Sequence, residues 1–166
     1  MSSDTTDVIV DAATIKSSPI GQELSDDQCA ALSRVASAHG LESGMFLIEE
    51  GHQDDALYII TKGSLEVVKP AAGGDWVTLH VLRAGDMAGA LGFVDGVEHS
   101  AAIRALSNSE VFSLSRQELE ALLATDPDLV YKVMRAIVRT VHAILRRMNM
   151  QFVEMNNYIT HQHGRY

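Results

Sequence analysis

Histidine, cysteine and serine are the side chains that could make this chain a metal protein or a catalyst, and their spacing speaks against both. Seven histidines are present. His161-Gln162-His163 has the spacing of a ligand pair, but neither an acid nor a third ligand accompanies it, and a zinc site needs more than two donors. A metal enzyme on a β scaffold needs a His-x-His pair and a downstream glutamate on adjacent strands, whereas His39, His52, His80 and His99 stand singly. The one cysteine, Cys29, excludes a disulfide framework and any cysteine-held zinc or iron–sulfur cluster. There is no Gly-Lys-Ser/Thr phosphate loop and no serine or cysteine nucleophile motif. The expectation is a binding protein, with no catalytic residue, metal or resident cofactor.

The charge pattern narrows the partners. Net charge is −9, and a general nucleic-acid binder needs a basic surface to neutralise phosphates. Residues 127–166 carry six Lys/Arg against two Asp/Glu, and residues 1–126 carry seven against twenty, so an acidic body joins a mildly basic tail. The acidic start lacks the basic-then-apolar order of a signal peptide. No apolar run approaches the roughly 18 residues of a membrane helix. A soluble cytoplasmic protein, making no membrane contact, is expected.

Positioning elements follow from periodicity. Residues 1–18 are polar apart from Val8-Ile9-Val10 and read as a mobile arm. Ser25-Asp26-Asp27-Gln28 is a capping-box signature opening a helix with Cys29, Leu32, Val35 and Ala36 on its apolar face. From Leu41 to Leu114 short apolar runs alternate with glycines: Met45–Ile48, Leu57–Ile60, Leu65–Val68, Val77–Leu82 and Val111–Leu114. Such runs read as strands of a sandwich or roll, with a hairpin at Gly73-Gly74. Ser115-Arg116-Gln117-Glu118 opens a second capped helix with Leu119, Leu122 and Leu123 as its stripe, and Asp126-Pro127 starts a third.

Within that last helix Val130, Met134, Ile137, Val141, Ile144, Met148, Gln151, Met155 and Tyr158 repeat at alternating spacings of four and three. This is a heptad seam with only Gln151 polar. A helix from 127 to about 159 would be roughly 50 Å long, too long for a roll of this size to cover. A parallel homodimer through the seam is expected. The divisions are then an arm (1–18), a β-roll with flanking helices (19–126), a long dimerisation helix (127–160) and a disordered tail (161–166).

Phe46-Leu47-Ile48-Glu49-Glu50-Gly51, Leu57-Tyr58-Ile59-Ile60-Thr61-Lys62-Gly63 and Gly85-Asp86-Met87-Ala88-Gly89 resemble the cyclic-nucleotide-binding domain. The likeness runs from about residue 20 to about residue 150, closest to the sensor half of the catabolite activator and fumarate–nitrate regulator family. It implies a mainly β fold: a jelly-roll-like double-stranded β-helix with flanking helices and a long C-terminal dimer helix. It also implies a phosphate-binding cassette, here Gly89-Ala90-Leu91-Gly92-Phe93 through Val97-Glu98-His99-Ser100-Ala101. The family's base-contacting roof falls on the stretch of Thr140, Ile144 and Leu145.

Two cassette positions depart from the family. A glutamate that accepts the ribose 2′-hydroxyl is replaced by Ala90, and an arginine that pairs with the cyclic phosphate by His99. Each lost charged hydrogen bond is worth about 1.5–3 kcal/mol, so the pair removes about 10²–10⁴ in affinity. Gly89, Ser100, Ala101 and the cassette backbone remain, leaving a cyclic nucleotide or another small anion as the conceivable ligand, with His99 as a substitute phosphate contact. The family's transcription factors carry a DNA-reading domain after the long helix, and only Tyr158–Tyr166 follow here, so no direct DNA contact is expected. Two functions stay open. One is a sensor that passes ligand state to a separate protein through a changed pocket. The other is a ligand-free dimeric scaffold, whose pocket would be filled by Met87, Leu91 or Phe93.

Overall fold

The computed structural model describes residues 10–162. Strands β1 (Ser37–Leu41), β2 (Phe46–Ile48), β3 (Ala56–Lys62), β4 (Ser64–Pro70), β5 (Trp76–Arg83), β6 (Met87–Ala88), β7 (Ala102–Ala105) and β8 (Ser109–Ser115) form two antiparallel sheets. Their orders are β1-β8-β3-β6 and β2-β7-β4-β5. Helices α1 (Ala12–Ser17), α2 (Asp26–Ser33), α3 (Ala90–Asp95), α4 (Arg116–Ala121) and α5 (Pro127–Gln162) complete the chain. This is the expected roll with flanking helices and a long last helix. No described helix is long and apolar enough to cross a membrane.

The continuous apolar run in β3 has a physical reason: both faces of its sheet are covered. Leu57 and Ile59 join Phe112 and Leu114 of β8 in a core shared with the helices. Ile60 and Val111 face the other way, onto Leu65, Ile103 and Ala105 of the second sheet. The Gly73-Gly74 hairpin forms as expected, with Pro70 opposite Trp76 across the β4–β5 turn. β1, β6 and β7 go beyond the expected strands: β1 buries a single side chain, Leu41, β6 has two residues, and Arg104 breaks the apolar run of β7.

Residues 10–18 are not a mobile arm. Asp11 caps α1 by accepting from the Thr14 N–H at 2.7 Å, and Ile15, Ser18 and Ile20 are buried. The apolar side chains here outweigh the polar composition, since Ile15, Ile20 and Leu24 close one end of the helix-side core. Residues 1–9, with the arm's Val8 and Ile9, lie outside the described residues, as do 163–166 and the side chains of 161 and 162.

The capping box of α2 forms in both directions: Ser25 Oγ accepts from the Gln28 N–H at 3.2 Å and the Ser25 N–H donates to Gln28 Oε1 at 3.1 Å. The Gln28 amide also donates to Asp128 Oδ2 at 3.0 Å, tying α2 to the first turn of α5. The second box is half made. Ser115 Oγ accepts from the Glu118 N–H at 3.1 Å, and the Glu118 carboxylate turns to the Ser115 hydroxyl instead of its backbone. Of the stripe that follows, Leu119 is buried and Leu123 is exposed, because the helix tightens into a 3₁₀ turn at Leu122–Ala124.

The heptad of α5 is corrected by the structure. Val130 and Ile137 are buried in the chain's own core, with Met134 and Val141 packed against it, so the first half of the expected seam is intramolecular. A second row with the same spacing is wholly apolar: Tyr131, Met134, Val138, Val141, Leu145, Met148, Phe152, Met155 and Ile159. Tyr131, Val138, Leu145, Phe152 and Ile159 are all exposed. Positions three and four residues either side of the 134/141/148/155 line fall on opposite flanks of a helix. One flank sits on the domain and the other faces outward.

Candidate functional site

The cassette is built on two glycines. Gly89, the N-cap of α3, has φ 80°, and a Cβ there would lie 2.8 Å from the Ala56 carbonyl oxygen. Only glycine combines that left-handed backbone with so close an approach to β3. A Cβ on Gly92 would meet His99 Cε1 at 2.9 Å and the Asp54 carbonyl at 3.3 Å. The last turn of α3 closes at Gly96, and Arg116 Nη1 donates to the Val94 carbonyl at 3.3 Å.

The return segment is held by backbone pairing: the His99 N–H donates to His52 O at 2.9 Å, and the Gly51 N–H donates to His99 O at 2.8 Å. The His99 side chain, 8% exposed, places Nε2 3.0 Å from Asp54 Oδ1. That approach lies off any hydrogen-bonding direction, so Nε2 is buried without a hydrogen-bond partner. The contact is short but poorly aligned, so it is proximity rather than a hydrogen bond. The other Asp54 oxygen accepts from the Tyr58 hydroxyl at 3.1 Å. Burial, and then the neighbouring Asp54 charge, pushes the Tyr58 phenol up to about 12.

Gly89, Ala90, Leu91, His99, Ser100 and Ala101 border one cavity of about 520 Å³, with Ile144 and Leu145 on its α5 side. The sequence reading thus brought cassette and roof to one place, with one exception. Thr140 lines a different cavity, of about 240 Å³, beside Glu23 and Arg139. It is one turn before Ile144, on the flank where Glu23 accepts from Arg139 Nη1 at 2.7 Å and also from Arg135. Sequence reasoning missed Ile48, Val67 and Ile103 as cavity walls, because they read only as strand residues.

His99 borders the cavity, with its ring close to Gly92 and Nε2 against Asp54. Glu98 lines the space from an exposed position, whereas Arg104 is held on the sheet by Glu66 at 2.5 Å. Glu98 lies in the loop before β7 and Arg104 within it, so different local structure places the two side chains. Met87 and Leu91 line the cavity without filling it, and Phe93 is buried in the helix-side core. Arg147 Nη1 donates to His80 Nε2 at 3.1 Å, holding the middle of α5 over β5.

Residues 39–126 match the cyclic nucleotide-binding domain family. A curated relative, the cAMP-activated global transcriptional regulator CRP of Salmonella typhimurium, is 30% identical over 73% of this chain, and the match spans 59% of the relative's length. Among solved structures, a cyclic nucleotide-binding domain from Methylobacillus flagellatus superposes with a TM-score of 0.76 at 23% identity, covering 89% of this chain and 82% of the other. The regulatory subunit of a cAMP-independent protein kinase A from Trypanosoma brucei has a TM-score of 0.65 at 24% identity, covering 78% of this chain and 45% of the other. With the roll, the glycine-built cassette and the closing helix in place, this chain belongs to the cyclic nucleotide-binding domain family.

Proposed function

We propose that this chain is a cytoplasmic regulatory domain without catalytic activity, dimeric through α5, whose cassette no longer grips a cyclic phosphate and which signals to a separate protein. The observation that carries this reading is His99. It stands at the family's arginine position, and its ring sits against Gly92 and Asp54. With Ala90 in place of the glutamate, both charge-specific contacts to a cyclic nucleotide are missing. Membership of the family does not by itself carry cAMP binding, since the trypanosome neighbour is described as cAMP-independent and the Salmonella relative as cAMP-activated.

The outward row of α5 supports the dimer. Each apolar side chain covered there contributes about 1.5–3 kcal/mol. Val141, Leu145 and Met148 belong both to that row and to the cavity wall, so occupancy of the cavity bears directly on how two α5 helices pair. The unfilled cavity favours a ligand over the scaffold reading. The free, buried Cys29 suits a reducing compartment. Calorimetry with cyclic AMP is the test: no micromolar binding is expected, and a micromolar Kd would overturn the reading.

A further inference from the structure

We infer that the cassette cavity takes an apolar small molecule that carries no anionic group. This rests on the cavity being the regulatory ligand site proposed above, and it names the ligand's chemistry. Glu98 and His99 are the titratable residues that line the space, and among the described residues no lysine or arginine lines it. The nearby arginines are committed elsewhere: Arg104 to Glu66, Arg116 to the Val94 carbonyl and Arg147 to His80. An anion entering here would be desolvated with one carboxylate at the mouth and no lysine or arginine to meet it, which is strongly unfavourable.

What the walls offer instead is apolar. Ile48, Val67 and Ile103 come from the sheet, and Ile144, Leu145 and Met148 from α5. A volume of about 520 Å³ falls within the range of small-molecule pockets. The polar groups sit at the mouth, where Ser100 and Glu98 are exposed. A carboxylate there accepts hydrogen bonds, so the complementary ligand has an apolar body and an end that donates, as a hydroxyl or an ammonium does. Cyclic nucleotides have the opposite polarity, a charged phosphodiester directed into the cassette.

The experiment is a fluorescence titration of the full chain with N-phenyl-1-naphthylamine, a neutral apolar probe, followed by displacement with decanol, decylamine and decanoate. Micromolar probe binding is expected, with decanol and decylamine displacing it at least tenfold better than decanoate. Ala101→Phe, which fills the space, should weaken the probe at least tenfold. Leu91→Asp alters an exposed wall residue outside the core and should do the same, which covers the case of a misfolded Ala101→Phe. Glu98→Gln should narrow the gap between decylamine and decanoate. Absence of probe binding, binding indifferent to both wall variants, or decanoate competing as well as decylamine overturns the inference. None of those results restores cyclic AMP binding, so the proposed function stands or falls separately on calorimetry with that nucleotide.

Discussion

Ile137 and Val138 are neighbours on α5 and face opposite surroundings: the first is 2% exposed in the domain core, the second 63% exposed on the outward flank. A charge at each position therefore has a different consequence. Val138→Glu with Leu145→Glu should leave the fold intact and abolish dimers, because like charges would face each other across the outward row. Ile137→Glu should instead unfold the domain, since an unpaired buried charge costs as much as the few kcal/mol that hold a domain folded. Sedimentation velocity and thermal melts of the variants separate the two. Dimers that survive Val138→Glu/Leu145→Glu would place the interface elsewhere.

Restoring the family chemistry should restore cyclic AMP. Ala90→Glu with His99→Arg returns two charged contacts, which together correspond to about 10²–10⁴ in affinity. Asp54 complicates this, because it lies 3.0 Å from the present His99 ring and would compete for a guanidinium. Adding Asp54→Asn should therefore raise the affinity further. Calorimetry of the two- and three-substitution variants checks both steps, and a triple variant no tighter than the wild type would falsify the account of the cassette.

Glu66 gives a pH signature. It is buried on β4, accepts from Thr78 Oγ1 at 2.6 Å and from Arg104 Nε at 2.5 Å, and these bonds, Thr78 first, hold its carboxyl below the ordinary value of 4.5. A depressed carboxylate contributes stability that is present above its unfolded pKa and is lost as pH falls through the lower folded value. Removing the partner with Arg104→Met leaves a buried unpaired carboxylate, at a cost of about 3–5 kcal/mol near neutral pH. The deficit should shrink below about pH 4.5 as Glu66 takes up a proton. Urea denaturation at pH 7 and pH 4 measures it, and an equal deficit at both values would contradict the assignment.

Gly89→Ala tests the cassette's backbone. Its φ of 80° puts the substitution in the left-handed region, where a side chain costs about 1–2 kcal/mol. The added Cβ would also press on the Ala56 carbonyl, which is strand backbone and cannot swing aside. A loss greater than 1–2 kcal/mol in chemical denaturation is expected, roughly, from strain and contact together. A neutral effect would mean that β3 and α3 can separate freely.

The sequence alone determined whatever depends on local pattern. Apolar runs between glycines placed five strands, the Ser25–Gln28 box placed α2, and uninterrupted heptad spacing placed α5. Family spacing sets cassette residues Gly89 to Ala101 and roof residue Ile144 beside one another, and the cavity gathers them. What pattern could not decide was direction. Two apolar rows share Met134, Val141, Met148 and Met155, and a helix read in isolation gives no reason to prefer Ile137 over Val138 as the outward side chain. That choice is made by Leu129, Val133 and Ala136, whose burial against the roll rotates one flank inward. Likewise α1 was hidden by its polar neighbours until Ile15 met the core. The approach of His99 Nε2 to Asp54, forty-five residues earlier, is also invisible in the spacing. Long-range contact is not encoded in spacing, and it is contact that sets this ring against its own chain.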